Sequence, residues 1–341
     1  MTNLDWPVVA VVGATGAAGS TVLRILEERA FPTRELRALA SPRSAGAAVS
    51  FNGVEVRVHA VGTEALDGVD IAFFAAGSDV AREFAPGIAK RGGVAVDKSS
   101  AYRSDPSVPL VVPEVNGDTL GHHHGIVSNP NCVASPLSMV LAPLHTAARL
   151  NHVTLSTYQA ASGGGRDLLE ELREQEQADA EGVAPRAAVY PHVLHGNVVP
   201  GGWKMGGVDT EEELKVISET RRVLGVPDLA ISMTSVRVPV PVGHAASVWI
   251  ETQDPLPPEA ARDVLSGAPG VRVVDEPDRQ LYPTPRDAAG TDDVLVGRIR
   301  RDHTRENGLV LFFAADNLRK GAATNAVQVA ELLISPGIAH H

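Results

Sequence analysis

Apolar residues in the first third of the chain fall alternately into short β-branched runs and into helical spacing. Val8 to Val12 is an unbroken apolar run bounded by Gly13, the pattern of a strand buried on both faces. Val22, Ile25 and Leu26 then recur at helical intervals, and the helix they predict ends before Pro32. Leu36 to Ala40, Ile71 to Ala75 and Val94 to Val96 predict further strands, with an amphipathic helix near Val80 to Lys90. Strands separated by helices in this way predict an α/β, Rossmann-type doubly wound parallel sheet.

The pattern changes after Cys132. A helix is predicted over Ser135 to Leu150 and a strand over Val153 to Ala160, running into Gly163-Gly164-Gly165. Asp167 to Ala180 reads as a helix carrying Glu, Arg and Gln around most of its circumference. Residues 182–208, rich in Gly, Pro and His, read as a long functional or interfacial loop. Strands are predicted at Ser232 to Val240, Ala246 to Glu251, Val294 to Arg300 and Leu309 to Ala315. An apolar stripe from Ala322 to Leu333 predicts a helix that packs back on the first domain. The domain expectation is a nucleotide-binding domain over 1–133 and an α+β domain of antiparallel strands over 134–318. A returning C-terminal helix then occupies 319–341.

Composition narrows the function classes. The chain has 341 residues, enough for two cores, with 44% hydrophobic and 21% charged residues. A net charge of −11 argues against nucleic acid, which demands clustered Lys and Arg, but not against an anionic substrate held by a few placed cations. One cysteine rules out an intramolecular disulfide, and no leader is visible at the N-terminus, which together fit the cytoplasm. No apolar run approaches the roughly 20 residues of a membrane helix. His340 and His341 are set aside as a tail.

The first motif is Gly13-Ala14-Thr15-Gly16-Ala17-Ala18-Gly19, placed between a strand and a helix. Its glycines permit a tight turn, and the helix N-terminus offers N–H groups and partial positive charge to a pyrophosphate. The GxxGxxG spacing departs from the commoner GxGxxG, so its position carries much of the argument. The second strand ends in Ser41-Pro42-Arg43-Ser44, without the carboxylate that holds a ribose 2′-hydroxyl. An Arg and two hydroxyls suit a 2′-phosphate, so NADP is the expected cofactor.

Ser128-Asn129-Pro130-Asn131-Cys132 follows an apolar strand and opens a helix. A thiol there gains from the helix dipole, which favours thiolate. A lone cysteine is more often a buried structural residue. The Asn-Pro-Asn turn at the mouth of a parallel sheet, where ligands bind, favours a nucleophile instead. Such a nucleophile needs an acid–base partner. Of twelve histidines, His122-His123-His124 lacks any matching metal-ligand pattern and reads as exposed loop, and no metal is expected. His244 ends the run Arg237-Val238-Pro239-Val240-Pro241-Val242-Gly243, which projects Arg237 and His244 from one stiffened element. Arg103 follows the strand ending at Asp97. Glu211, Glu212 and Glu213 open a helix after Thr210, and Lys215 shares a face with Glu212.

Taken in order, nine segments resemble the aspartate-semialdehyde dehydrogenase family along nearly the whole chain. They are GATGAAG (13–19), SPRSAG (41–46), DKSSAYR (97–103), VPLVVPEVN (108–116), SNPNC (128–132), TYQAASGGG (157–165), EEELK (211–215), RVPVPVGH (237–244) and DNLRKGAATNAVQ (316–328). The resemblance implies a second domain that is both catalytic and dimer-forming. It implies Cys132 as acyl-thioester nucleophile, His244 as acid–base group and Gln159 as the residue orienting substrate. Arg237 would hold the substrate α-carboxylate in a bidentate fork and Glu212 its α-ammonium. Arg103, Lys215 and Asn131 would bind phosphate or the acyl phosphate. Gly13, Thr15, Gly16, Ala17, Ala18, Arg43, Ser44, Ser162, Gly163 and Asn317 would contact NADP. The implied reaction converts L-4-aspartyl phosphate to L-aspartate 4-semialdehyde, towards lysine, methionine and threonine, in a homodimer.

One segment departs from the family. Members often carry Asn-x-Ile-Pro followed by acidic residues, where this chain has Asn197-Val198-Val199-Pro200-Gly201-Gly202-Trp203-Lys204. The enzyme alternative is an N-acetyl-γ-glutamyl-phosphate reductase, whose family surrounds its cysteine with a Gly-Cys-Tyr-Pro type sequence unlike Asn-Cys-Val-Ala here. Glyceraldehyde-phosphate dehydrogenase is set aside on the same ground. The non-enzyme alternative is an NADP-sensing protein without turnover, which the presence of Cys132, Gln159, Arg237 and His244 disfavours.

Overall fold

Residues 6–335 are described by the computed structural model, and His340 and His341 lie outside them. They divide into two units, one running to Asn131 and resuming at Ala322, the other spanning Cys132–Gly321.

The first unit opens with β1 (Val8–Val12), α1 (Ala17–Glu28) and β2 (Glu35–Ala40). A hairpin of β3 (Ala48–Phe51) and β4 (Val54–Arg57) leads to β5 (His59–Ala60), elements too short and exposed to show in the apolar pattern. Then come β6 (Ile71–Phe74), α2 (Ser78–Lys90), β7 (Val94–Asp97), the single turn α3 (Pro113–Asn116) and β8 (Ile126–Ser128). The sheet order is β5-β2-β1-β6-β7-β8, with every pair parallel. Strand order reverses at β1, which makes its carboxyl end the topological switch point where ligands bind.

β1 is buried at all five positions because its period of two feeds a separate core on each face. Val9 and Val11 join Ile25, Leu26 and Phe73, together with Ala326, Val327 and Ala330 of the C-terminal helix Thr324–Ile334. Val8, Ala10 and Val12 join Phe74, Ala81, Ala85 and Ile88 on the other face. The C-terminal helix is held to α1 by a paired bond, Arg29 to Glu331, at 2.7 Å from both Nε and Nη2.

The second unit runs through α4 (Ala134–Ala148), β9 (Leu150–Gln159), α5 (Arg166–Ala180), β10 (Met205–Gly206), β11 (Asp209–Thr210), α6 (Glu211–Leu224) and β12 (Ala230–Arg237). It continues with β13 (His244–Thr252), α7 (Pro258–Ser266), β14 (Val271–Val273), α8 (Pro285–Ala288), β15 (Val294–Arg301) and β16 (Gly308–Ala315). Its six-stranded sheet has the order β12-β9-β13-β16-β15-β14. The expectation of antiparallel strands is corrected here, because β12–β9 and β14–β15 are parallel and the sheet is mixed. A parallel pair needs a long crossover, and the two helices between Gln159 and Ala230 supply one.

α5 is likewise less solvated than its composition suggests. Leu168, Glu171, Leu172 and Gln175 are buried along it. The Glu171 carboxylate accepts the backbone N–H groups of Ala188, Val189 and Tyr190, and Gln175 Oε1 accepts those of Leu194 and His195. The polar positions of α5 thus dock the 182–208 segment, whose Tyr190, Leu194 and Val199 share a core with Leu168 and Leu172. Among the described residues, no helix is long and apolar enough to cross a membrane.

Candidate active site

In the first unit, each glycine of the 13–19 turn has its own reason to be glycine. Gly13 has φ +91°, and a Cβ there would lie 2.9 Å from the Ala75 carbonyl. A Cβ on Gly19 would lie 2.1 Å from the Gly13 oxygen, so only glycine lets α1 approach the turn. Gly16 is exposed and caps α1 with backbone alone. The first turn of α1, with Thr15, Gly16, Ala17 and Ala18 around it, therefore carries N–H groups without a side-chain cap or an acidic neighbour. Beyond β2, Pro42–Ser44 forms a short 3₁₀ turn with Arg43 exposed.

Arg103 donates from Nη2 to the Lys98 carbonyl at 2.7 Å, in the loop after β7. Asp97, fully buried at the end of that strand, has its pKa raised by burial, although it accepts both N–H and O–H of Ser99. Asn131 is buried at the end of this unit.

In the second unit, the sheet places three side chains at one level. Gln159 ends β9, Arg237 ends β12 as its register partner, and His244 begins β13 on the other edge of β9. Val238 to Gly243 turns the chain over the end of β9, tied by Ala161 N–H to Val240 O and Ser162 N–H to Pro241 O. Gly243 takes φ +97° in that turn, and its N–H donates to Asn317 Oδ1 at 3.0 Å. Asn317 also bonds the Ser162 hydroxyl, so these two buried groups lock the loop beside His244.

His244 is 1% exposed. Its Nδ1 accepts the backbone N–H of Ala160 at 3.0 Å, and its buried Nε2 has no hydrogen-bond partner among the described residues. Burial, then the neighbouring charge of Arg237, pushes its pKa well below the ordinary histidine value. The ring is therefore neutral with its proton on Nε2.

Arg237 is 3% exposed, donates from Nη1 to the Ala160 carbonyl at 2.7 Å and has an unpartnered, buried Nε. Burial lowers its pKa, offset by the charges of Tyr190, Cys132 and Glu212 around it, which places those groups in one electrostatic neighbourhood. Gly163 backs the pair, since a Cβ there would stand 2.9 Å from His244 Nε2 and 3.0 Å from Arg237 Nη1.

Cys132 stands two residues before α4, with Val133 at the N-cap position. Gly321, in the π-helical turn Arg319–Ala323, closes on it from behind: a Cβ there would be 2.9 Å from the Cys132 oxygen. α6 explains its acidic opening position by position. Thr210 and Glu213 form a capping box, and Glu213 also accepts the Ser235 N–H. Glu211 is half-buried and pairs with Lys204 at 3.0 Å and Lys215 at 3.3 Å, which lowers its pKa, while Glu212 is buried. Lys215 pairs with Glu211 across one helical turn. Among the described residues, no group of His, Cys, Asp and Glu is arranged to hold a metal.

Sequence reasoning missed Tyr190 and Trp203, whose rings lie 5.9 and 4.5 Å from the Arg237 guanidinium carbon. The only available signal was the departure at Gly201-Gly202-Trp203.

A doubly wound unit with a glycine turn, joined to a mixed-sheet unit with a thiol, a buried neutral histidine and a buried arginine, defines a two-domain dehydrogenase of the nucleotide-binding class. Two family models match, the semialdehyde dehydrogenase NAD-binding domain over residues 8–123 and the semialdehyde dehydrogenase dimerisation domain over 141–320. The aspartate-semialdehyde dehydrogenase of Aquifex aeolicus is 46% identical over 97% of this chain and 98% of its own. That of Bacillus subtilis is 44% identical over 95% and 96%. The crystal structure of aspartate semialdehyde dehydrogenase II from Vibrio cholerae complexed with ASA superposes with a TM-score of 0.94 at 39% identity, covering 98% of this chain and 99% of that one. The chain belongs to the aspartate-semialdehyde dehydrogenase family.

Proposed function

We propose that this chain catalyses the NADP-dependent reductive dephosphorylation of L-4-aspartyl phosphate to L-aspartate 4-semialdehyde through a thioester on Cys132, a step towards lysine, methionine and threonine. The observation that carries this reading is the grouping around Arg237. A buried guanidinium with a free Nε, a buried Glu212, a neutral His244 and Cys132 share one polar neighbourhood.

Arg237 takes the α-carboxylate, where Nε and an Nη offer the bidentate fork, and Glu212 takes the α-ammonium. Gln159, fixed at the end of β9, orients the acyl group. Cys132 Sγ forms a bond to the acyl carbon as the carbon–oxygen bond to phosphate breaks, and the departing phosphate takes up the proton that the overall reaction consumes. Asn131, Arg103 and Lys215 bind that phosphate. Bound NADPH supplies the hydride that reduces the thioester carbonyl. His244 donates a hydrogen bond from Nε2–H to the resulting hemithioacetal oxyanion and keeps its proton, and collapse of that centre re-forms the carbonyl as the free aldehyde and returns Cys132 as thiolate.

Gly13, Thr15, Gly16, Ala17 and Ala18 would hold the pyrophosphate, and Arg43 with Ser44 would hold the 2′-phosphate. Ser162, Gly163 and Asn317 would also contact the cofactor. Two copies pair, a reading supported by the dimerisation-domain match and by the exposed apolar Val183, Val189, Val198 and Val208. The lone thiol suits a reducing cytoplasm.

A phosphate-dependent assay tests the substrate. Purified protein is expected to reduce NADP with aspartate semialdehyde and phosphate, and to reduce little without phosphate. Activity with N-acetylglutamate semialdehyde but not with aspartate semialdehyde overturns the reading.

A further inference from the structure

We infer that Trp203 is a positioning residue for Arg237, holding the guanidinium in the orientation that receives the substrate carboxylate. The inference rests on Arg237 as the carboxylate-binding group. Arg237 carries a charge deep in the second unit, and its pKa is depressed by that burial. Nη1 donates to the Ala160 carbonyl at 2.7 Å, and the Tyr190 hydroxyl is a second hydrogen-bond partner of the head group. Bonds at its edge leave the face of the planar fork uncovered. The faces of two aromatic rings supply what is missing, with the Trp203 centroid 4.5 Å and the Tyr190 centroid 5.9 Å from the guanidinium carbon. Stacking against a ring face constrains the plane of the guanidinium while leaving its edge, including Nε, available to an acceptor.

The local backbone is built to deliver the indole. Val199 and Arg237 form an isolated antiparallel bridge, exchanging both N–H···O bonds at 2.8 and 2.9 Å. The segment is therefore stitched to the backbone of the residue whose side chain it covers. Pro200 then leads into Gly201 and Gly202, with φ of +147° and +86°, values that turn the chain back over the side chain. The Tyr190 hydroxyl donates to the Gly201 carbonyl, and a Cβ on Gly202 would collide with that phenol at 2.0 Å. Gly-Gly-Trp is thus one device: two glycines make the turn and admit Tyr190, and the third residue stacks. This accounts for the segment that departs from the family pattern. The indole contributes a cation–π contact without neutralising the charge that the substrate needs.

Steady-state kinetics with aspartate semialdehyde, phosphate and NADP test the inference. Trp203→Ala is expected to raise the KM for aspartate semialdehyde by roughly 5- to 30-fold, with kcat and the KM for NADP within about threefold. Trp203→Phe should recover most of that loss. Trp203→Leu, which fills similar space without a ring face, should not recover it, even with an unchanged thermal midpoint, and serves if the alanine variant folds poorly. Adding Trp203→Ala to Arg237→Lys should cost little beyond Arg237→Lys alone. If Trp203→Ala and Trp203→Leu leave the semialdehyde KM unchanged while Arg237→Lys raises it, Trp203 does not position the guanidinium, and the carboxylate assignment stands. If Arg237→Lys also leaves it unchanged, the assignment of Arg237 falls first.

Discussion

Ala160 donates its backbone N–H to His244 Nδ1 at 3.0 Å, and a ring nitrogen that accepts such a bond cannot itself carry the proton. With the pKa pushed down by burial and by Arg237, the ring stays neutral and its proton sits on Nε2. In the proposed reaction His244 therefore acts as a hydrogen-bond donor, not as a base that first strips the thiol. The sign of the pH effect follows. A depressed pKa keeps the ring neutral through neutral and mildly acidic pH, so activity should not fall on its account as pH drops through about 6.5, the ordinary histidine value. Nitrogen-15 NMR should show Nδ1 as the unprotonated nitrogen and Nε2 as the protonated one, and His244→Ala should lower kcat on the order of 10²- to 10⁴-fold. A protonated Nδ1, or an acid limb near 6.5 that vanishes in the variant, contradicts the donor role. The chain showed His244 and Arg237 together because a Pro-Val-Pro-Val-Gly turn stiffens the link between them. It hid the Ala160 N–H, which every residue possesses, and Trp203, whose partner lies 34 residues away in sequence, counting from 203 to 237.

Elements position the thiol by close approach. The π-helical turn Arg319–Ala323 presents Gly321 to Cys132, and a Cβ there would lie 2.9 Å from the Cys132 oxygen and 3.2 Å from its Cβ. Gly321 has no left-handed φ, so alanine at this position tests space and not backbone strain. Gly321→Ala should shift the Cys132 backbone and lower kcat on the order of 10²-fold, the scale expected of a 1 Å misplacement, with cofactor affinity retained. An unchanged kcat with a folded variant would show that the turn yields instead. Helices and strands with strong periodicity, such as β1, α1, β9 and β16, were legible from the sequence within a residue or a few at each end. The β3–β4 hairpin and β14 were not, because their short strands are half-exposed and show no apolar run. α5 read only as a helix polar around most of its circumference, because Glu171 and Gln175 look the same in sequence whether they face water or a row of backbone N–H groups.

At the scale of the whole molecule, each unit contributes a different chemistry. The first turns helix and glycine geometry into a site for a dinucleotide, through Gly13 and Gly19. The second turns the ends of three neighbouring strands into a polar cluster in a buried setting, where each charge acts at short range and low dielectric. The alternating first third foretold the doubly wound unit well, since parallel strands buried on both faces write themselves as apolar runs. The second sheet was harder. Whether β12 adds to β9 parallel or antiparallel depends on the path of a 70-residue connection between Gln159 and Ala230, counted as the residues 160–229, and local pattern carries no record of that path. The net charge of −11 likewise said nothing of the site, where Arg237 supplies a cation that the surface total conceals.

The central claim is that aspartate is carried as a thioester on Cys132. Incubation with aspartate semialdehyde and NADP, without phosphate, should let hydride leave while the acyl group stays, and acid quenching should preserve the product for intact-protein mass spectrometry. The account predicts one aspartyl group per chain, mapped to Cys132, formed with one equivalent of NADPH and released by added phosphate. Turnover without an adduct on Cys132, or an adduct that persists in Cys132→Ser, contradicts it.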